Sequence, residues 1–291
     1  QRLNYLGGTD CAPILGLSRW STPLQVWAEK TGQIIREDIS DRVSVKLGNK
    51  LEQTVAEFFM EETGKKVRRV NKTLFHPDYP FLGANLDREV VGEDAILECK
   101  TASAWKSKEW EGQDIPQEYI LQVMHYLAVT GAKVGYIAVL IGNQDFKWKQ
   151  IDRDEKMIAD IVKREVSFWN DFVIPKVMPG QVTAGDSDVL YQLYPIAEPD
   201  SKIQLGDDAN QLIESRNSMY QDKIMLEKQI EQRENELKAL LGDKAEGFTA
   251  NWQVAWKNAS QVRLDTTKIK EEAPELYARF GKETKFRKLT I

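Results

Sequence analysis

The segment Val134–Ile141 restricts the fold more than any other stretch of the chain. It reads Val-Gly-Tyr-Ile-Ala-Val-Leu-Ile and contains no charged residue. A nearly continuous apolar run of this length is typical of a strand buried on both faces. The alternating segment 147–151 predicts a neighbouring antiparallel strand, and helical periodicity precedes and follows this pair at 116–129 and 154–173. We therefore expect a mixed α/β fold, with a central mixed β-sheet flanked by helices.

The rest of the chain divides into three parts by composition. Helical periodicity also covers 44–63, so residues 1–178 are expected to form one α/β domain. Residues 179–209 are rich in Pro, Gly, Asp and Ser and predict a linker. Residues 210–291 begin with a long charged helix, whose apolar stripe predicts a helical arm or a coiled-coil partner, and continue as a small α+β module.

Charge and cysteine content narrow the classes of protein that fit. The formal net charge of −5 excludes a simple basic DNA coat but not a local basic surface. Cys11 and Cys99 are the two cysteines and do not have the spacing of zinc ligands. The sequence shows neither a signal peptide nor an apolar run long enough to span a bilayer. We expect a reduced, cytoplasmic protein that has no membrane partner.

Chemistry is concentrated in the stretch Gly83–Lys100, which predicts a β-hairpin with turn residues at 92–94. Alternate residues of a strand share a face, so Glu98 and Lys100 point the same way and Cys99 points the opposite way. Pairing across the turn brings Asp87 beside them. Two carboxylates and an ammonium suit Mg²⁺ with a bound phosphate ester. The competing interpretation is a solvated sheet face with alternating charges.

Two predicted helices carry further candidates. Glu52 lies at the edge of the apolar stripe of the helix 44–63, so it is either a surface residue or a third carboxylate delivered to the hairpin. Gln122 and Tyr126 are four residues apart on the helix 116–129 and share a face. Their side chains are therefore placed to bond each other or a phosphate.

Basic residues form two candidate DNA contacts. The strand-like run that begins at Lys65 has enough charge to meet a phosphate backbone, although lysines also guard the edges of sheets. A second segment, predicted to be a loop, interleaves aromatic and basic residues, a composition that fits nucleic-acid contact. The candidates in the two segments are Lys65, Lys66, Arg68, Arg69, Trp105, Lys106 and Lys108.

Taken together, the motifs resemble a known family. A helix glutamate, Asp-x(10)-Glu-x-Lys on a hairpin and Gln-x-x-x-Tyr on the next helix occur in this order in the PD-(D/E)xK nucleases. Within them, Leu6-Gly7-Gly8-Thr9-Asp10 and Gly48-Asn49-Lys50-Leu51-Glu52 are similar to the YqaJ-like viral recombinases related to phage lambda exonuclease. The resemblance covers about residues 2–175 and implies a restriction-endonuclease-like core at 1–178. Asn85-Leu86 precedes the first carboxylate where the family name has a proline.

The resemblance also implies roles for the hairpin and helix residues. Asp87 and Glu98 match the metal-binding carboxylates, and the backbone carbonyl of Cys99 matches a further ligand. Lys100 matches the lysine that activates or stabilises the attacking water. Glu52 matches the helix glutamate that organises the metal through water.

Four more positions are implied by the same resemblance. Gln122 and Tyr126 match the pair that supports the site and the nearby DNA strand. Arg2 falls where the lambda-type enzyme has the arginine that holds the 5′-phosphate, and Thr9 falls where it has a serine. Thr9 also lies at a predicted helix start, which binds anions readily but is usually only a helix start.

The resemblance implies a Mg²⁺-dependent exonuclease that degrades linear double-stranded DNA from 5′ to 3′. It also implies that Mn²⁺ supports this activity. It would release 5′-mononucleotides and leave 3′ single-stranded tails for single-strand annealing recombination. The implied partners are duplex DNA ends, a homotrimeric assembly and a single-strand annealing protein, and the implied setting is a bacterial host cell with a phage or prophage origin. The alternatives are a non-cleaving DNA-end-binding scaffold, an endonuclease or 3′-directed enzyme of the same fold, and a structural protein that oligomerises through its long helix.

Overall fold

In the computed structural model of the chain, the described residues are 2–284 and 286–291, and Arg2 is described by its backbone alone. The chain forms two compact units, Gln1–Pro195 and Ile196–Ile291. The strands of the first unit are, in chain order, β1 (Leu6–Gly7), β2 (Val67–Arg69), β3 (Leu74–Phe75), β4 (Leu82–Ala84), β5 (Arg88–Val90), β6 (Ala95–Ala102), β7 (Val134–Ile141) and β8 (Asp145–Asp152). Its α-helices are α1 (Gly8–Ile14), α2 (Pro23–Lys30), α3 (Val43–Thr63), α4 (Gln117–Thr130), α5 (Glu155–Phe168) and α6 (Ser187–Leu193).

A five-stranded mixed sheet forms the centre of this unit, in the order β2-β5-β6-β7-β8. β6 and β7 run parallel, and the other neighbours are antiparallel. A smaller sheet in the order β1-β4-β3 lies beside it. The predicted hairpin is confirmed as β5 and β6, and the predicted strands at 134–141 and 147–151 are confirmed as β7 and β8.

Apolar side chains cover both faces of the central sheet. On one face, Phe59 of α3 packs with Tyr136 and Ala138 of β7. On the opposite face, Ile137 and Val139 of β7 pack with residues of α4 and α5. The alternation of β7 side chains between two buried clusters confirms the prediction of a strand buried on both faces between helices.

Helix α4 is the element that carries most of the site, and its ends follow from the sequence. Pro116 precedes its first residue, where a missing N–H costs nothing, and Gly131 ends it with φ of 76°. Nine consecutive residues from Leu121 to Val129 are buried. The helix is therefore embedded on all sides, which fixes the direction of each of its side chains.

Part of the segment predicted as a linker at 179–209 is folded onto the first unit. Val189 of α6 is 4% exposed and joins the main core. Asp186 is 0% exposed; it accepts a hydrogen bond from the backbone N–H of Thr183 at 2.6 Å and one from the hydroxyl of Thr22 just before α2. These buried contacts explain why the first unit extends to Pro195.

The second unit begins with α7 (Asp207–Leu241), a helix of 35 residues that are all described and none of which is buried. It continues with β9 (Glu246–Phe248), β10 (Gln253–Ala255), α8 (Thr266–Glu272) and α9 (Pro274–Phe280). The two strands pair antiparallel. Over the described part of the chain, no helix has the length and apolar character that a membrane crossing requires.

Candidate active site

Strand β6 places two of the predicted residues side by side. The Nζ atom of Lys100 lies 2.6 Å from Oε1 of Glu98, so both side chains point to the same face, as their spacing predicts. Cys99 between them packs against the cluster on the other face, which contains α3. Glu98 is 4% exposed, and a carboxylate this deeply buried requires partners.

Helix α4 supplies those partners from the same face. Gln122 Nε2 donates to Glu98 Oε1 at 2.7 Å, and Lys100 Nζ donates to Gln122 Oε1 at 3.0 Å. Gln122 Nε2 also donates to the hydroxyl of Tyr126 at 3.1 Å. The predicted contact between Gln122 and Tyr126 is present, and it continues directly into the pair of Glu98 and Lys100.

Asp87 completes this cluster from the end of β5. Arg88 pairs with Leu97, so one residue further along Asp87 comes opposite Glu98. The backbone N–H of Cys99 donates to Asp87 Oδ2 at 2.8 Å, which fixes the carboxylate against β6. Burial, together with the charge of Glu98, raises the pKa of Asp87 to about 7. A charged Asp87 is therefore costly at this point, mainly because it is buried and also because Glu98 is close.

Lys100 remains a cation in this setting. Burial alone lowers the pKa of its ammonium, but the charge and hydrogen bond of Glu98 outweigh burial, and the pKa is raised overall. The ring of Tyr119 faces the ammonium, with Nζ 4.9 Å from its centroid. Sequence analysis missed Tyr119, although its position three residues before Gln122 on α4 places it on the same helical face.

Glu52 is held differently from the other carboxylates. It lies on α3, which covers the face of the sheet opposite Gln122, and its Oε1 accepts a hydrogen bond from Arg88 Nη1 at 2.5 Å. Arg88 is 2% exposed and also donates to the Asp87 carbonyl oxygen at 2.6 Å. The structure thus joins Glu52 to Asp87 through Arg88 and does not bring it against Glu98. Arg88 was missed because its charge resembled the alternating charges of an exposed hairpin.

The donor set fits a hard divalent cation. Asp87 and Glu98 offer carboxylate oxygens, and Mg²⁺ sites commonly use one or two carboxylates and keep several waters. Within the described residues, no three His, Cys, Asp or Glu side chains form a group that could hold an ion. A backbone oxygen such as the Cys99 carbonyl, and water, are the further donors that such an ion could use.

The start of α1 packs directly on the two α4 residues. A Cβ atom on Gly8 would lie 2.5 Å from Tyr126 and 3.0 Å from Gln122. Thr9 is exposed and lines a small cavity of about 20 Å³ together with Tyr126 and Lys30. The predicted phosphate contact of Arg2 falls on a side chain outside the described residues.

Three basic residues of the strand-like run lie close to carboxylates, of which Glu89 belongs to β5. β2 is the edge strand of the central sheet, as the alternative interpretation had it. Lys65 lies 2.5 Å from Glu93, Arg68 lies 2.9 Å from Glu89, and Arg69 lies 3.8 Å from Glu52. Lys66 is exposed. Arg69 thus brings one end of this strand close to the site.

The aromatic and basic segment forms a 3-10 helix, Ala104–Trp110, where a loop was predicted. Trp105 is 95% exposed, and Lys108 is also exposed. Lys106 Nζ lies 5.2 Å from the ring centroid of Trp20, which the sequence analysis did not single out. The short helix forms because Trp110 is buried and anchors its end.

Sequence comparison places this chain in a family. The profile of the YqaJ-like viral recombinase domain matches residues 1–133. The uncharacterized protein YqaJ of Bacillus subtilis (strain 168) is 41% identical over 299 residues, an alignment that covers 100% of this chain and 92% of the relative. The chain therefore belongs to the YqaJ-like viral recombinase family, as the order of its motifs predicts.

Solved structures share the architecture of the first unit. The alkaline exonuclease LHK-Exo from Laribacter hongkongensis is 21% identical, with a TM-score of 0.53 over 60% of this chain and 91% of that chain. LHK-Exo in complex with dAMP is similar to the same extent, at 22% identity and a TM-score of 0.53. The predicted fold class, a mixed α/β fold with a mixed central β-sheet flanked by helices, is confirmed.

Proposed function

We propose that this chain is a metal-dependent 5′-to-3′ exonuclease that acts on linear double-stranded DNA and leaves 3′ single-stranded tails for recombination. The observation that carries the proposal is the junction of Glu98, Lys100 and Gln122 beside Asp87, in bonds of 2.6 to 3.0 Å. Two carboxylates and a fixed ammonium on one sheet face suit phosphodiester hydrolysis. Membership of a viral recombinase family supports a role in recombination.

Asp87 and Glu98 are the side chains that would hold Mg²⁺ or Mn²⁺, with the Cys99 carbonyl as a further ligand and Glu52 acting through water. When bound, such an ion lowers the pKa of a water molecule and neutralises charge on the phosphate. A bound cation would offset both causes that raise the pKa of Asp87, namely its burial and the neighbouring charge of Glu98. Arg88 donates hydrogen bonds both to Glu52 and to the Asp87 carbonyl oxygen and so keeps Glu52 near Asp87.

Lys100 positions the attacking water and stabilises the charge that develops on the phosphate. It is suited to this because it stays protonated and is held on two sides, by Glu98 and by Gln122. Gln122 carries no charge, so it fixes the ammonium without neutralising it. Tyr126 in turn fixes Gln122. A site held in this way loses little energy to reorganisation during the reaction.

The proposed DNA path uses the exposed candidates around the site. Lys66 on β2 and Lys108 on the 3-10 helix are exposed, and Trp105 presents a free indole face for stacking. Thr9, with Arg2, is the proposed 5′-phosphate contact. Contacts of this kind make affinity fall steeply with salt concentration. The other basic candidates, Lys65, Lys106, Arg68 and Arg69, would exchange their present partners for phosphate.

The assembly and setting are part of the proposal. A ring-shaped homotrimer would keep the enzyme on its duplex, and a single-strand annealing protein would load on the strand that degradation exposes. Both come from the family resemblance, as do the phage origin and the bacterial cytoplasm. Sedimentation of the purified chain with and without a duplex end measures the assembly directly.

Substrate topology tests the activity. Linear duplexes labelled at either 5′ or 3′ end, and a covalently closed circle, are incubated with Mg²⁺ or with EDTA. We expect 5′-mononucleotides from the linear form only, faster with a 5′-phosphate and absent in EDTA. Arg2→Ala is expected to abolish the preference for the 5′-phosphate while degradation continues.

Other outcomes identify the alternatives. Nicking of the circle would show that the activity is that of an endonuclease and not of an exonuclease. Binding of duplex ends without nucleotide release, in Mg²⁺ and in Mn²⁺, would favour a non-cleaving recombination scaffold. Loss of the 3′ label before the 5′ label would reverse the polarity.

A further inference from the structure

A fully buried pair of ionisable groups, His125 and Glu165, takes no part in the chemistry above. Both residues are 0% exposed. The Nδ1 atom of His125 lies 2.9 and 3.0 Å from the two carboxylate oxygens of Glu165, and its Nε2 atom lies 3.0 Å from the carbonyl oxygen of Gly83. The imidazole is thus clamped between α5 and β4.

Geometry determines the charge state of this imidazole. A carbonyl oxygen and a carboxylate only accept hydrogen bonds, and a neutral imidazole has a single N–H. With Glu165 ionised, a neutral His125 would turn a lone pair toward one of these oxygens at about 3 Å, so both ring nitrogens carry protons. Burial lowers the pKa of His125, but the charge and hydrogen bond of Glu165 outweigh burial, and the pKa is raised overall.

The groups packed around the pair are consistent with this charge. From α1, the Cys11 thiol faces this pair, and burial, followed by the charge of Glu165, raises the pKa of that thiol well above its usual value. The carboxylate of Asp10, also on α1, lies 2.7 Å from Lys30 and is balanced by it. One cation and one anion therefore remain in the enclosed space.

A buried ion pair is weak support for a stabilising role, because apolar residues of similar volume often serve stability as well or better. What the pair gives this chain is a fixed geometry. On α4, His125 lies between Gln122 and Tyr126 in sequence, and both of these residues contact the catalytic cluster. Its other partner, Gly83, belongs to β4, which ends three residues before Asp87. The space is tight, since a Cβ atom on Gly83 would lie 2.5 Å from Tyr5.

We propose that His125, clamped between Glu165 and the Gly83 carbonyl, is a positioning residue that fixes Gln122 and Tyr126 relative to the turn carrying Asp87. It touches neither substrate nor reacting atoms. Its effect on rate rests on the proposed nuclease function, whereas its effect on the geometry of Gln122 does not.

Two substitutions and a matched control measure the effect on rate. Glu165→Gln removes the counter-ion, and His125→Asn keeps a donor toward Glu165 while losing the one toward Gly83. Each is expected to lower the single-turnover rate by about 10- to 100-fold, as substitutions of residues that orient metal ligands do. The DNA concentration that gives half the maximal rate is expected to change by less than about twofold. Asp186→Asn disturbs an equally buried carboxylate of the same unit whose hydrogen bonds go to Thr183 and Thr22, and its rate should equal that of the wild type.

The sequence offers a second readout that needs no activity, because it contains only two histidines. In His76→Asn protein, ¹⁵N spectra report His125 alone and are expected to show protons on both ring nitrogens. The NMR signal of the Gln122 side-chain amide is assigned by its loss in Gln122→Asn. This signal is expected to shift in Glu165→Gln and to keep its position in Asp186→Asn.

The outcomes separate the two proposals. If the wild type releases no nucleotide, the proposed nuclease function is refuted. The NMR signal of the Gln122 amide still tests the positioning role in that case. A single protonated ring nitrogen, an unmoved Gln122 amide, or rates of Glu165→Gln and His125→Asn equal to that of Asp186→Asn would each overturn the positioning role.

Discussion

Replacing Arg88 tests how the sheet and α3 are joined at the site. Arg88→Met keeps the aliphatic part of the side chain and removes the hydrogen bonds to Glu52 at 2.5 Å, to the Asp87 carbonyl at 2.6 Å and to Gln53 at 3.0 Å. Breaking a buried charge pair from one side costs about 3–5 kcal/mol. Glu52 keeps 29% of its side chain exposed, so water solvates it in part. We expect a loss of about 2–3 kcal/mol in the free energy of unfolding.

Urea titration and thermal melting measure this loss. At about 2–4 °C per kcal/mol for a unit of this size, the melting temperature should fall by about 4–12 °C. The matched control is Arg68→Met, because Arg68 pairs with Glu89 on the same sheet at 2.9 Å but is 73% exposed. Its loss should be about 0–1 kcal/mol.

A double-mutant cycle with Glu52→Gln isolates the pair. Once Glu52 is uncharged, Arg88→Met leaves no buried anion behind, so the double variant should lose at least about 1 kcal/mol less than the sum of the two singles. Additivity within about 0.5 kcal/mol, or equal losses for Arg88→Met and Arg68→Met, would refute the inference that Arg88 holds Glu52 in place.

Two further predictions concern the packing and the charge of the site. Gly8→Ala places a Cβ atom 2.5 Å from Tyr126 and should cost about 1–3 kcal/mol and lower nuclease activity, whereas Gly7→Ala, whose nearest neighbour is at 3.7 Å, should be tolerated in both thermal melts and activity assays. Burial and the charge of Glu98 raise the pKa of Asp87 to about 7, so its contribution to stability is present at pH 4 and lost as the pH rises through 7. In EDTA, Asp87→Asn should therefore raise the melting temperature relative to wild type at pH 8 and not at pH 4. Added Mg²⁺ should stabilise wild type more than the variant. If the difference in melting temperature between the two proteins did not depend on pH, the buried environment assigned to Asp87 would be contradicted.

The backbone of the site was predictable because its signals are local. The alternation of Glu98 and Lys100 on a strand determines that they share a face, and the four-residue spacing determines that Gln122 and Tyr126 share one. The apolar run Val134–Ile141 fixed the central strand for the same reason, since strand length and unbroken hydrophobicity leave few other folds.

The partners of the charged residues were not predictable, because they depend on contacts between distant segments. Arg88 differs from an exposed arginine only in lying under α3, where it meets Glu52 36 positions earlier in the chain. His125 and Glu165 are 40 positions apart and are joined only once α4 packs on α5. A histidine that stands alone on an apolar helix gives no sign, in the sequence, of the carboxylate that will face it.

The most direct test of the central claim is the single-turnover rate of Lys100→Ala on a 5′-phosphorylated linear duplex in Mg²⁺, with DNA binding measured in EDTA. Lys100 is held by Glu98 and Gln122 and brings a positive charge to the carboxylates of Asp87 and Glu98. Loss of its ammonium should lower the rate by about 10²- to 10³-fold, while binding in EDTA changes little. A variant that degrades the duplex at the wild-type rate would contradict the assignment of this cluster as a nuclease site.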